Sequence, residues 1–184
     1  TINGKIYLPG SGSEHSLYIY DINADTWDIE LMSVASQAWG YDVAVVDGIL
    51  YRTGGSPVTG SKVALGEVSA YDPINGTWTL VASMNTPRRF HNSWSYDGKL
   101  YVAGGLDTSD NTLSSTEYYD PVEDTWTSNP SEFAYLPEGW WGAADAVLDG
   151  KFWLVSGLIN GTGDDNITRN SLYYDPAENT WEYG

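Results

Sequence analysis

The dipeptide Tyr-Asp recurs at Tyr20-Asp21, Tyr71-Asp72, Tyr119-Asp120 and Tyr174-Asp175, and six positions after each Asp stands the Trp of a Thr-Trp pair. These Trp residues, Trp27, Trp78, Trp126 and Trp181, follow one another at intervals of 51, 48 and 55 residues. A second series runs in register with the first: Asn3-Gly4, Asp47-Gly48, Asp97-Gly98 and Asp149-Gly150. A short apolar run follows each pair and ends in glycine, twice as a diglycine, Gly54-Gly55 and Gly104-Gly105. Two markers locked together at one period dictate a repeat architecture, in which each unit buries its apolar surface only against its neighbours.

The chemistry of each unit predicts two hairpins. Asn-Gly or Asp-Gly between apolar segments is a strong hairpin signal, because both residues tolerate the positive φ of a tight turn. An inner strand a is therefore expected before that turn (Tyr41–Val46, Trp94–Tyr96, Ala143–Leu148) and strand b after it. Strand c carries Tyr-Asp, and strand d begins at Thr-Trp. Four antiparallel strands in a period of about 50 residues is the arithmetic of a β-propeller blade. The expected fold is all-β, with blades at about 1–32, 39–84, 89–130 and 140–184. The first unit has only Thr1-Ile2 of its inner strand, so we expect further blades, from the same longer polypeptide or a second copy, to complete the ring. The four marker Trp are expected to pack between neighbouring sheets, and the four marker Asp to bond turn amides.

At "KLYVAGG", "EYYDPVEDTW" and "NTPRRFHNSWSYDGKLYVAGG" the sequence resembles the kelch-repeat family, and the resemblance covers nearly the whole chain. "IYLPGSG" and "WLVSG" depart from the family's diglycine. The resemblance implies a propeller, and it implies that Arg88 braces its blade. It leaves function open, because one fold hosts many.

Charge narrows the partner. The formal net charge is −17, a field that repels phosphate backbones and anionic lipid, so neither nucleic acid nor membrane insertion is expected. There is no cysteine, which removes disulfides, thiolate metal sites and thiol nucleophiles. We expect an extracellular or cell-surface module that binds protein or glycan.

In a blade the a–b and c–d turns share one end and the longer b–c and d–a connections share the other. The long loops, Ser56–Gly66, Leu106–Ser115 and Leu158–Asn170 with Met32–Ala38, Met84–Arg88 and Asn129–Gly139, mark the favoured binding face. Eight residues before each turn Asp stand Trp39, Arg89 and Trp141, accompanied by Arg88, His91 and Trp140. Trp and Arg are the residues enriched at binding hot spots, so these six are the candidate partner-binding residues. Asp164 and Asp165 offer oxygens of the kind Ca²⁺ takes, although no Ca²⁺ loop motif surrounds them and a solvated polar loop is the simpler reading. No other cofactor is expected. Asn75, Asn160 and Asn166 begin N-glycosylation sequons.

Propellers also carry enzymes. A kelch-type copper radical oxidase needs a Tyr-Cys crosslink, which a chain without cysteine cannot make. "INGTW" and "VEDTW" look like the structural turns of sialidases, yet only Arg52, Arg88, Arg89 and Arg169 exist to bind a sialic carboxylate. No carboxylate pair is singled out for acid–base work. The expectation is a non-catalytic module; the alternative is an enzyme, or the propeller domain of an exported hydrolase, with its site at the channel mouth.

Overall fold

The computed structural model describes residues 1–10, 15–32, 38–57 and 60–184. Most of the loop expected at Met32–Ala38, and residues 58–59 of the next long loop, lie outside the described residues. Three sheets have four antiparallel strands each: Asp42–Val46, Ile49–Thr53, Val68–Asp72 and Thr77–Val81; Asn92–Tyr96, Lys99–Ala103, Thr116–Asp120 and Thr125–Thr127; Ala144–Leu148, Lys151–Val155, Ser171–Asp175 and Thr180–Tyr183. The first sheet has three strands, Lys5–Pro9, Ser16–Asp21 and Thr26–Leu31. Strands pair in chain order within each of these four sheets, which is the blade topology the markers predict, and a short two-stranded sheet pairs Trp140–Trp141 with Leu158–Ile159.

The hairpin turns form where the Asx-Gly pairs stand. Asp47 and Gly48 have φ of 48° and 83°, and Asp97 and Gly98 repeat this with 48° and 69°. The marker Asp residues tie the c–d turns. Asp72 Oδ1 accepts the Ile74 N–H at 2.8 Å, and Asp120 Oδ1 accepts that of Val122 at 2.9 Å.

The apolar core lies between blades. Leu17 and Ile19 of the first sheet meet Leu50, Tyr71 and Trp78 of the second. Val46 and Val68 of the second meet Leu100, Val102 and Tyr119 of the third. Trp94 of the third stacks on Phe152 of the fourth, with Leu154, Leu172 and Tyr174 around them. The marker Trp of one blade reaches back to the preceding one. Trp126 Nε1 donates to Ala82 C=O at 2.8 Å, and Trp181 Nε1 to Ala134 C=O at 2.9 Å. Trp27 differs from the expectation. It rests on Tyr20 but is 58% exposed, because among the described residues no sheet lies on that side of the first blade.

The diglycines mark where the next blade's backbone arrives. A Cβ on Gly54 would stand 2.4 Å from the Arg88 carbonyl, and one on Gly104 would stand 2.2 Å from the Trp140 carbonyl. In the fourth blade Ser156 takes this place with a φ of 60°.

Candidate functional site

The residues entering the inner strands gather at one end of the assembly, as the repeat predicts, but they divide into two groups. Arg88, His91 and Trp140 are buried, which corrects the expectation that they offer side chains to a partner. Arg88 is a brace. Its Nη1 donates to the carbonyls of Gly104 (2.6 Å) and Ser115 (3.0 Å), and its Nη2 meets Glu117 Oε1 at 2.8 Å. Burial lowers the guanidinium pKa, and Glu117 opposes that shift. His91 Nε2 lies 2.7 Å from Thr53 Oγ1. Burial, then the neighbouring Arg88 charge, holds the imidazole well below its ordinary pKa. The Trp140 indole donates to Ser156 C=O at 2.8 Å within the core between the third and fourth blades.

Trp39 and Trp141 remain half-buried, and a residue that sequence reasoning passed over joins them. Phe90 packs edge-on to Trp39, with ring centroids 4.9 Å apart, and lies 5.5 Å from Trp141. One aromatic strip thus crosses three blades. Phe90 has a φ of 54°, while Gly40 and Gly142 occupy the corresponding places with φ of 63°. A bulky residue in the left-handed region is unusual, and rings on both sides hold this one. The available signal was the break in the pattern: phenylalanine where the other two blades have glycine.

Arg89 extends the strip. Its guanidinium lies 5.5 Å from the Phe90 ring and is paired with Asp110. Asp110 also holds Lys62 at 2.5 Å, and Lys62 is 71% exposed. The ion pairs join the b–c loops of the second and third blades. Arg89 is itself buried, which corrects the expectation that it offers its side chain to a partner, and within this cluster Lys62 carries the accessible charge.

The other candidates are placed separately. The Asn129–Gly139 connection, expected as a free binding loop, is anchored by Phe133 and Leu136, both buried between the third and fourth blades. Asp107 closes its own loop, with Oδ1 accepting the N–H groups of Ser109 (2.7 Å) and Asn111 (2.9 Å). Asp164 and Asp165 lie in a single 3₁₀ turn, Asp164–Asn166. Among the described residues no group of three or more His, Asp or Glu is placed to hold a metal ion. Of the sequon residues, Asn75 and Asn160 are exposed and Asn166 is half-buried.

Deeper in the assembly, the inner strands are tied to one another. Asp42 Oδ2 accepts the Ser93 N–H at 2.5 Å and the Ser93 hydroxyl at 2.9 Å, while Asn92 Nδ2 donates to Asp145 at 3.0 Å. Burial, then the Asp145 charge, pushes the Asp42 carboxyl up to about 7, against hydrogen bonds that favour its ionised form.

Arrangement and connectivity define a β-propeller built of repeated four-stranded blades. The Kelch motif matches residues 40–85 and 87–131. Kelch-like protein 15 of Danio rerio is 33% identical over 89% of this chain, and that of Homo sapiens is 31% identical over the same share. An F-box/kelch-repeat protein of Arabidopsis thaliana is 30% identical over 92% of the chain. The chain spans 29% of the two Kelch-like proteins and 45% of the F-box protein. The solved structure of YjhT superimposes with a TM-score of 0.80 at 18% identity, covering all of this chain and 63% of that one. The chain belongs to the kelch-repeat family.

Proposed function

We propose that this chain is a binding module with no chemistry of its own, and that its partner is a protein held across the long-loop face. The observation that carries the reading is the strip Trp39–Phe90–Trp141. Half-buried aromatics on rigid strand entries present apolar area at little cost in conformational entropy, as binding hot spots do. Lys62 beside them supplies a charge for orientation, and the acid-rich chain favours a partner of neutral or basic character. The proposal places the module outside the cell, which fractionation of the source organism tests.

The test is affinity capture with the wild type, a Trp39→Ala/Trp141→Ala double variant, and Ile74→Ala on the opposite face, where Ile74 is 84% exposed. The proposal expects one set of proteins to be lost with the double variant and retained with Ile74→Ala. Retention by the double variant would overturn it. Binding on a glycan array that the double variant abolishes, with no protein captured, would replace protein by carbohydrate as the partner.

A further inference from the structure

The rings of Trp39, Phe90 and Trp141 stand on main chain whose hydrogen bonds are already committed. Trp39 makes both of its backbone bonds with Ser56, at 3.0 and 2.9 Å. Phe90 gives its N–H to Gly40 C=O and accepts the Gly142 N–H at its own C=O, and Trp141 pairs with Leu158. Polar side-chain atoms beside the strip are engaged as well. Trp141 Nε1 donates to Gly161 C=O at 2.8 Å. Arg89 donates through Nε to Lys62 C=O at 3.3 Å and through Nη2 to Asp110. The Lys62 ammonium is the exposed polar end of this group.

That closure bears on the backbone of whatever the strip receives. An extended segment laid across the rings would bury N–H and C=O groups with nothing to meet them, and a buried unpaired peptide group is costly. A polyproline segment has no internal hydrogen bonds either, so its carbonyls depend on water or on donors from the receptor. An α-helix pairs its backbone within its own segment and presents side chains alone. The spacing of the rings agrees. Their centroids are 4.9 and 5.5 Å apart, and helix residues three and four positions apart are separated by about 4.5 and 6 Å along the axis. Three rings in a row thus match apolar residues at i, i+3 or i+4, and i+7 on one helix face.

We infer that the partner presents an amphipathic α-helix, lying along Trp39–Phe90–Trp141 with apolar residues on its contact face and a carboxylate on the flank toward Lys62. The inference rests on the strip being the binding surface, and adds the conformation and chemistry of what is bound there. Charge fixes the flank. Asp110 is shared by two cations, Arg89 and Lys62, so the cluster is locally positive within a chain whose net charge is −17. One carboxylate on the helix meets that local charge, while the rest of its polar face is neutral or basic to suit the chain as a whole.

The test pans two phage libraries of equal length against residues 1–184, one displayed on a stable three-turn helix with one face randomised, the other unstructured. The helical library should yield binders with apolar residues at i, i+3 or i+4, and i+7 and an Asp or Glu on one flank. Their affinity should fall at least ~10-fold on the Trp39→Ala/Trp141→Ala double variant. Proline at the centre of a selected helix should weaken binding at least ~30-fold. Selection on Lys62→Met should keep the apolar pattern and lose the acidic preference. Binders that the double variant loses, but that come only from the unstructured library or are indifferent to proline, overturn the helix and leave the strip as the binding surface. Binders that the double variant retains, or none from either library, overturn the helix and the strip together. An acidic preference that persists on Lys62→Met overturns the assignment of the flank.

Discussion

Replacing Glu117 by glutamine removes one negative charge from the interior while keeping the shape of the side chain. Glu117 and Arg88 are both fully buried. Glu117 Oε1 accepts Arg88 Nη2 and the Thr86 N–H, each at 2.8 Å, and Oε2 accepts the Asn85 N–H at 2.8 Å. Glutamine has one acceptor oxygen and an amide that must face either the guanidinium or a backbone N–H. At least one donor is left unmatched, at a cost of about 1–3 kcal/mol. The guanidinium also loses its counter-charge, and breaking a buried pair costs about 3–5 kcal/mol in all. Urea denaturation followed by tryptophan fluorescence reads this directly. With a slope of about 2 kcal/mol/M, the midpoint should fall by about 2 M without a change in slope. Lys151→Met breaks the solvent-screened Lys151–Asp175 pair at 2.9 Å and should move the midpoint far less. Equal effects of the two variants would show that Arg88 and Glu117 do not brace the third blade as argued.

Trp78→Ala should destabilise by about 3–5 kcal/mol, and Trp27→Ala by less than about 1 kcal/mol, in the same titration; similar values would mean that Trp27 is packed in solution. Phe90→Ala should be about 1 kcal/mol less stable than Phe90→Gly, because alanine keeps the left-handed strain that glycine escapes; thermal melts of the pair check the order. His91 is held neutral in the fold, so its contribution is complete above the unfolded value of about 6.5 and declines as pH falls below it; His91→Gln should flatten that acid limb. The raised Asp42 carboxyl acts in the opposite direction, its contribution being lost as pH rises from about 4 through about 7. Wild-type stability should therefore fall relative to Asp42→Asn over that interval.

The turns were legible because their chemistry is local: Asp47-Gly48 needs positive φ whatever surrounds it, and Asp72 bonds amides two and three residues away. Burial is relational, and this is where reading the chain fell short. Trp27 and Trp78 carry the same motif, yet only Trp78 has a sheet against it. Arg88 and His91 have the composition of a binding rim, but the arriving diglycine loops enclose them. Phe133 sits in a polar connection with no periodicity to announce that it would turn inward onto Trp94 and Tyr174. Phe90 was hidden differently. Its place is a backbone position at which the other blades use glycine, so its ring contributes to the strip while its φ follows the repeat.

The same places carry a seam of peptide groups between blades. Phe90 N–H donates to Gly40 C=O at 2.6 Å and Gly142 N–H to Phe90 C=O at 2.9 Å; Gly55 N–H and Gly105 N–H reach the carbonyls of Arg88 (2.9 Å) and Trp140 (2.8 Å). A join made of main-chain atoms at glycine positions asks little of the side chains near it. Loop sequences between those joins can then drift, lengthen or be exchanged while the blades keep their spacing. Such a scaffold can acquire a new partner by rewriting a few rim residues, and a blade carrying its own glycines could be transplanted between relatives as a unit.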